Sequence, residues 1–88
     1  MDVEVKKLND KEIEEMGIKS WPIWEKEVSQ FDWSYSSEER CLILEGRALI
    51  TYGDKNVEIK KGDFVIFPKG LQCKWNITEP IKKHYNFF

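Results

Sequence analysis

The sequence predicts an all-β domain, and three observations support this prediction. From Ile18 onward, short apolar runs are separated by turn residues, which is the pattern of a small sandwich or barrel. Hydrophobic residues make up 41% of the chain and aromatic residues 14%, so large rings must supply much of the buried area. Eighty-eight residues suffice for one hydrophobic core but not for two. We therefore expect a single domain over residues 1–88, with the barrel core in residues 18–88.

The N-terminal segment predicts a strand followed by one short helix. Apolar and charged residues alternate in residues 1–8, which favours an extended strand. Asn9 and Glu12 have the spacing of a capping box, and Gly17 can supply the left-handed end of a helix. Residues 10–16 should therefore form one short helix that covers a larger structure.

The rest of the chain predicts a series of strands joined by tight turns. Gly46 should break or bend one of them, and residues 52–56 should form the turn of a hairpin. Residues 25–30 are ambiguous. The expected extended segments are 21–24, 31–35, 40–50, 57–59, 64–67, 71–77 and 81–88.

The charge distribution argues against nucleic acid and membrane partners. The formal net charge is -2, and acidic and basic residues are interleaved rather than grouped in blocks. No broad basic surface is therefore available to neutralise phosphates or anionic lipids.

The first twenty residues are not expected to act as a targeting signal. That segment is too charged for a signal peptide, and no later window has the length of an apolar membrane span. We expect a cytoplasmic protein, in which Cys41 and Cys73 are free thiols rather than a disulfide.

Two motifs in order resemble the paired motifs of the cupins. The first is Glu39-x6-Gly46, which ends in Cys41-Leu42-Ile43-Leu44-Glu45-Gly46. The second is Gly62-x5-Pro68-x-Gly70-x2-Cys73. The resemblance implies a small jelly-roll barrel with an internal cavity. Within the family the chain is similar to the single-domain branch of (S)-ureidoglycine aminohydrolase-like cupins, through Trp21-Pro22-x-Trp24, Trp75, and Lys82-Lys83-x-Tyr85.

The metal-binding positions of the cupin motifs depart from the family pattern. The resemblance places the family's three histidines at Trp33, Tyr35 and Cys73, and only the glutamate is retained, as Glu39. Two rings thus stand where imidazoles would bind a metal. We expect no metal and no other cofactor.

Strand alternation predicts one candidate pocket inside the barrel. The candidates for catalysis are Glu39, Lys83 and Cys73, and the candidates for ligand binding are Trp33, Tyr35, Cys41, Trp75 and Tyr85. The alternative is that these rings and thiols only fill the core. A buried cysteine is usually inert unless a positive neighbour such as Lys83 activates it.

Glu39 is the most informative residue, because an inward carboxylate is costly unless another group pairs with it. A structural pair with Lys83 or a bond to Tyr35 would satisfy it, and so would a role as general acid/base or ligand anchor. A shift of one residue in register would exchange it with Glu38. If Lys83 faces inward, the single histidine, His84, faces outward.

Two functions remain open at this point. The first is a metal-free cupin that binds a small polar organic molecule, with possible proton transfer by Glu39 on a carbonyl or ureido compound and stabilisation of negative charge by Lys83. The second is a non-enzymatic sensor or structural barrel with a packed interior. In that case surface aromatic residues such as Trp21, Trp24 and Phe88 would support dimerisation. Either a monomer or a homodimer is consistent with the sequence.

Overall fold

The fold is almost entirely built from β-strands. The computed structural model describes residues 1–88. In chain order the elements are β1 (Glu4–Lys7), α1 (Asp10–Glu15), a 3₁₀ turn (Ile18–Ser20), β2 (Ile23–Lys26), β3 (Ser29–Ser34), β4 (Glu39–Tyr52), β5 (Lys55–Lys60), β6 (Asp63–Phe67) and β7 (Gln72–Phe87). The predicted all-β class with one short helix is confirmed.

The long strands β4 and β7 pair antiparallel along most of their length and belong to both halves of the sheet. The first part of β4 pairs with β6 and its last part with β5. The first part of β7 pairs with β3 and its last part with β2. The inner-face residues of both halves form one buried cluster of 13 residues. The two halves therefore face each other and enclose the core of a small jelly-roll barrel.

A bend at Gly46 allows β4 and β7 to belong to both halves of the sheet. The pairing register is irregular between Ile43 and Ala48, opposite Pro80. Gly46 has a φ of 95°, and a Cβ placed there would lie 2.0 Å from the carbonyl oxygen of Pro80. Only glycine fits this close crossing of two backbones.

The prediction of two separate strands at the C-terminus is wrong. Residues 71–77 and 81–88 belong to a single strand, β7, which continues through Pro80. Proline is tolerated there because it lies at an irregularity of the ladder, where its missing N–H interrupts no regular pairing.

The N-terminal segment covers the outer face of one half of the sheet. β1 pairs with β6 and so adds a strand that precedes the expected barrel core of residues 18–88. The predicted capping box is present: Glu12 N donates to Asn9 Oδ1 at 2.8 Å, and Asn9 N donates to Glu12 Oε1 at 3.0 Å. A second apolar cluster lies beneath this segment and includes Leu8, Ile13, Ile18, Trp21, Leu42, Leu44, Phe64 and Ile66. No helix of this chain has the length and apolar character needed to cross a membrane.

Candidate functional site

An aromatic cavity opens between the two halves of the barrel. Its volume is about 220 Å³, which corresponds to roughly seven water molecules. Nine residues line it: Trp24, Phe31, Trp33, Tyr35, Glu39, Trp75, Lys83, Tyr85 and Phe87. Seven of the nine are aromatic, and the other two are a carboxylate and an ammonium group. The cavity is therefore an apolar chamber with a single polar region.

Strand alternation explains why both long strands contribute to the lining. Glu39 begins β4 on the inner face, and Lys83, Tyr85 and Phe87 occupy every second position near the end of β7. In the other half of the sheet, Phe31 lies directly opposite Trp75 across the β3–β7 ladder.

The polar region of the cavity is a buried ion pair. Lys83 Nζ donates to Glu39 Oε2 at 2.8 Å, and each side chain is only 5% exposed. Tyr35 Oη donates to Glu39 Oε1 at 2.8 Å. Both oxygens of the carboxylate are thus hydrogen-bonded, and both of the expected structural partners of Glu39 are present together.

Two tryptophan rings hold the ammonium group of Lys83. Its Nζ lies 4.6 Å from the ring centroid of Trp75 and 4.7 Å from that of Trp24. An ammonium this close to indole faces gains cation–π attraction, which partly compensates for its lost hydration. The glutamate and the two indoles therefore fix the position of the positive charge.

Ring packing gives the cavity stiff walls around Trp75. Phe31 stacks on Trp75 at a centroid distance of 6.0 Å and an angle of 6°. Trp24 meets the same indole edge-on at 6.1 Å. Tyr35 stacks on Phe67 at 4.9 Å, and Phe67 in turn lies 5.5 Å from Trp75. These contacts leave the rings little freedom to collapse into the empty space.

Two rings of the lining are much more exposed than the others. Trp33 and Phe87 are each 49% exposed, although both line the cavity. Trp33 lies on the inner face of β3, as predicted, but near the end of the barrel rather than deep inside it. Trp33 and Phe87 therefore belong to the rim of the cavity.

Burial and the neighbouring carboxylate also determine the protonation state of the Tyr35 hydroxyl. Burial raises the pKa of its hydroxyl far above the ordinary value, and the negative charge of Glu39 raises the pKa further. The hydroxyl therefore remains protonated at neutral pH and is a permanent hydrogen-bond donor.

The two cysteines lie near the site but do not line the cavity. Cys41 and Cys73 are buried in the core cluster as free thiols, on the predicted inner faces of their strands. Burial raises the pKa of the Cys41 thiol to about 12 and that of the Cys73 thiol to about 11. A thiol that stays protonated is a poor nucleophile, so the geometry does not favour the catalytic role considered for Cys73.

His84 lies on the opposite face of β7 from the ion pair, in agreement with strand alternation. Its Nδ1 is 2.9 Å from the carbonyl oxygen of Trp21, and the side chain is largely buried. The side chain of His84 therefore faces away from the cavity, and the segment around Trp21 shields it from solvent.

Three lining residues were not among the sequence-based candidates: Trp24, Phe31 and Phe87. The assignment of Trp24 to the surface is wrong, because its indole packs against Lys83 and Trp75. The alternation of Phe31 with Trp33 and Tyr35 could have indicated Phe31. No local pattern indicates Trp24, whose position depends on its pairing with Lys83 in the ladder between β2 and β7.

The fold and the motif positions define a cupin, and comparisons with known proteins specify the family. Residues 13–85 match the model of the EutQ-like cupin domain. The chain belongs to this family. No match was found among proteins of curated function.

Solved structures support the same assignment. A DUF861 family protein from Thermotoga maritima is 50% identical, with a TM-score of 0.96, and the match covers 99% of this chain and 100% of that one. The EutQ protein of Clostridium difficile is 21% identical, with a TM-score of 0.71 and coverage of 98% and 67%. A putative ethanolamine utilization protein Q from Salmonella typhimurium is 18% identical, with a TM-score of 0.70 and coverage of 100% and 70%. The last two show likeness in fold alone.

The residues at the cupin metal positions do not fit a metal ion. No three side chains among His, Cys, Asp and Glu converge in the structure. Glu39, the one retained ligand, already accepts hydrogen bonds from Tyr35 and Lys83. The ammonium of Lys83 also places a positive charge beside the carboxylate, where it would repel a metal cation.

Proposed function

We propose that this chain is a metal-free cupin domain that binds a small polar organic molecule in its aromatic cavity. The observation that carries the proposal is the Glu39–Lys83 ion pair, which lies at the wall of an otherwise apolar cavity. Ligand pockets typically combine apolar walls with a few placed polar groups in this way.

The energetics of buried ion pairs support a role beyond stability. Two charges removed from water lose hydration, and well-packed apolar side chains of similar volume are often as stabilising. A barrel that needed only a filled interior would have no need of Glu39 and Lys83. The pair is therefore better explained by a ligand that uses its hydrogen-bonding groups.

The cavity itself argues against the alternative of a packed structural barrel. Protein interiors are close-packed and contain few voids larger than a water molecule. The space of about 220 Å³ beside the ion pair opens at the rim formed by Trp33 and Phe87, and it is much larger than such a void. An unfilled cavity that opens to the surface supports the binding function over the structural one.

The same groups suit a proton-transfer reaction on a carbonyl or ureido compound. Glu39 would act as the general base and acid, and the Lys83 ammonium would stabilise negative charge that develops on a carbonyl oxygen. Tyr35, which remains protonated, would hold the carboxylate in place. Such chemistry is consistent with the sequence resemblance to (S)-ureidoglycine aminohydrolase-like cupins, but here it would proceed through side chains.

A binding screen tests the proposal. The indoles of Trp24 and Trp75 lie against the ion pair, so a ligand in the cavity should change the tryptophan fluorescence. We expect hits from a library of small polar molecules with planar groups, and we expect their affinities to fall at least tenfold in Glu39→Gln. The matched control is Glu58→Gln, which alters an exposed ion pair outside the cavity.

Two outcomes would contradict the proposal. One is a library of broad chemistry in which no compound binds. The other is a set of hits whose affinities are the same in Glu39→Gln, in Glu58→Gln and in the unmodified protein.

A further inference from the structure

The polar region of the cavity carries no net charge. Glu39 and Lys83 are the only charged residues of the lining, their charges cancel, and the other seven residues are neutral rings. A ligand with a net charge would enter an aromatic chamber that offers no unpaired counter-charge. Its lost hydration would remain uncompensated, so the cavity disfavours both anions and cations.

The ion pair still has hydrogen-bond donors on Lys83 and hydrogen-bond acceptors on Glu39 that a ligand could use. Lys83 Nζ has three N–H groups, and among protein acceptors it donates only to Glu39 Oε2. Each oxygen of Glu39 accepts one hydrogen bond and can accept another. The wall therefore offers a donor and an acceptor side by side, separated by 2.8 Å.

An amide edge complements this arrangement, because it places a carbonyl acceptor beside an N–H donor. A carboxylate has two acceptors and would meet Glu39 with an unfavourable contact. An ammonium group has only donors and would meet Lys83 in the same way. The other seven lining residues are aromatic, and flat ring surfaces of this kind suit a planar molecule.

We propose that the cavity selects uncharged, planar molecules that present an amide edge to Lys83 and Glu39. This inference rests on the proposed binding function and specifies the ligand class. The carbonyl oxygen of the ligand accepts from Lys83 Nζ, and its N–H donates to a Glu39 oxygen. The aromatic lining covers the rest of the molecule.

Three probes of nearly equal size test this selectivity: benzamide, benzoate and benzamidinium. Binding to the full chain is measured by tryptophan fluorescence and confirmed by calorimetry at neutral pH. We expect benzamide to bind at least tenfold more tightly than either charged probe. Equal or tighter binding of benzoate or benzamidinium would overturn the inference.

Charge variants sharpen the test because they should invert the selectivity. Glu39→Gln leaves the ammonium of Lys83 unpaired and should shift the preference toward benzoate. Lys83→Met leaves the carboxylate unpaired and should shift the preference toward benzamidinium. Circular dichroism verifies the fold of each variant, and Glu39→Gln alone decides the question if Lys83→Met does not fold. An unchanged preference in a folded variant would contradict the role of the pair.

The outcomes separate this inference from the proposed function. If a charged probe binds best and the variants alter its affinity, the cavity is a ligand site but the neutral-amide selectivity is wrong. If neither these probes nor the broader library bind, the proposed function itself fails.

Discussion

Lys83 Nζ lies 2.8 Å from Glu39 Oε2, although the two residues are 44 positions apart in the chain. Both side chains are 5% exposed and border the aromatic cavity. The pair joins the inner faces of β4 and β7, so it connects the stability of the barrel with the chemistry of the site.

The first prediction concerns energetic coupling within this pair. Glu39→Gln and Lys83→Met should each reduce the free energy of unfolding by about 3 to 5 kcal/mol, because each leaves a buried charge without its partner. The double variant should be less destabilised than the sum of the two by at least ~0.5 kcal/mol. Urea unfolding of all four proteins measures the coupling.

An exposed ion pair provides the control for this cycle. Arg47 Nη1 lies 3.3 Å from Glu58 Oε1, with about half of each side chain exposed. Arg47→Met and Glu58→Gln should each change the free energy of unfolding by no more than about 1 kcal/mol. Strict additivity of Glu39→Gln and Lys83→Met would rule out a coupled pair.

The second prediction concerns the hydroxyl of Tyr35. Tyr35→Phe retains the ring that stacks on Phe67 but removes the hydrogen bond to Glu39. Hydrogen bonds to charged groups contribute about 1.5 to 3 kcal/mol, so the free energy of unfolding should fall by that amount. Tyr85→Phe is the control, because Tyr85 lines the same cavity and its hydroxyl has no protein hydrogen-bond partner. An equal effect of the two substitutions would refute the importance of the Tyr35 bond.

The third prediction concerns the pH dependence of stability through Cys41. Burial raises the pKa of its thiol from about 9 to about 12. Below pH 9 the thiol is protonated in both states, so its contribution to stability is fully present. Above pH 9 the unfolded thiol ionises first, and the contribution is lost progressively as the pH approaches 12.

The experiment compares the wild-type protein with Cys41→Ala, so that titration of the lysines cancels. The difference in free energy of unfolding should decrease by about 1.4 kcal/mol per pH unit above pH 9. Urea unfolding under reducing conditions measures it. A difference that stays constant well above pH 9 would argue against the raised pKa.

The fourth prediction concerns the crossing of β4 and β7. Gly46→Ala would place a Cβ 2.0 Å from the carbonyl oxygen of Pro80, at a φ of 95°. A loss of more than ~4 kcal/mol is expected, since backbone atoms must move. Gly53→Ala is the matched control, because Gly53 also has positive φ but has no atom within 4 Å of the added Cβ. That variant should lose only about 1 to 2 kcal/mol, from backbone strain. Similar melting temperatures for the two variants would contradict the steric explanation.

The fifth prediction is that purified protein contains no stoichiometric transition metal after dialysis. Trp33, Tyr35 and Cys73 occupy the positions of the cupin histidines, and Lys83 lies against Glu39. Elemental analysis is the measurement, and a chelator should leave the melting temperature unchanged. One equivalent of iron, zinc, nickel or manganese that is lost in Glu39→Ala would overturn the metal-free proposal.

Local sequence patterns predicted most of the elements correctly because their signals act over a few residues. The capping box of Asn9 and Glu12 and the hairpin after Tyr52 depend on neighbours within about one turn. Strand alternation was likewise sufficient to place Glu39 and Lys83 on inner faces and His84 on the outer face. The two segments predicted at 71–77 and 81–88 are one strand, because β7 continues through an irregularity of its ladder with β4.

Alternation along a chain specifies which side of a strand a residue faces, and the motifs specify the family of barrel. The sequence alone therefore predicted the inward and outward faces of the strands and the family of the barrel. It also predicted that Glu39 needs a partner. Which of the inward-facing side chains line the cavity was decided by the tertiary structure. Trp24 reaches the ion pair because β2 pairs with β7 in one particular register. Cys41 is fully buried in the core cluster and does not line the cavity. Register and depth depend on contacts between distant segments, which packing selects only when all the strands come together.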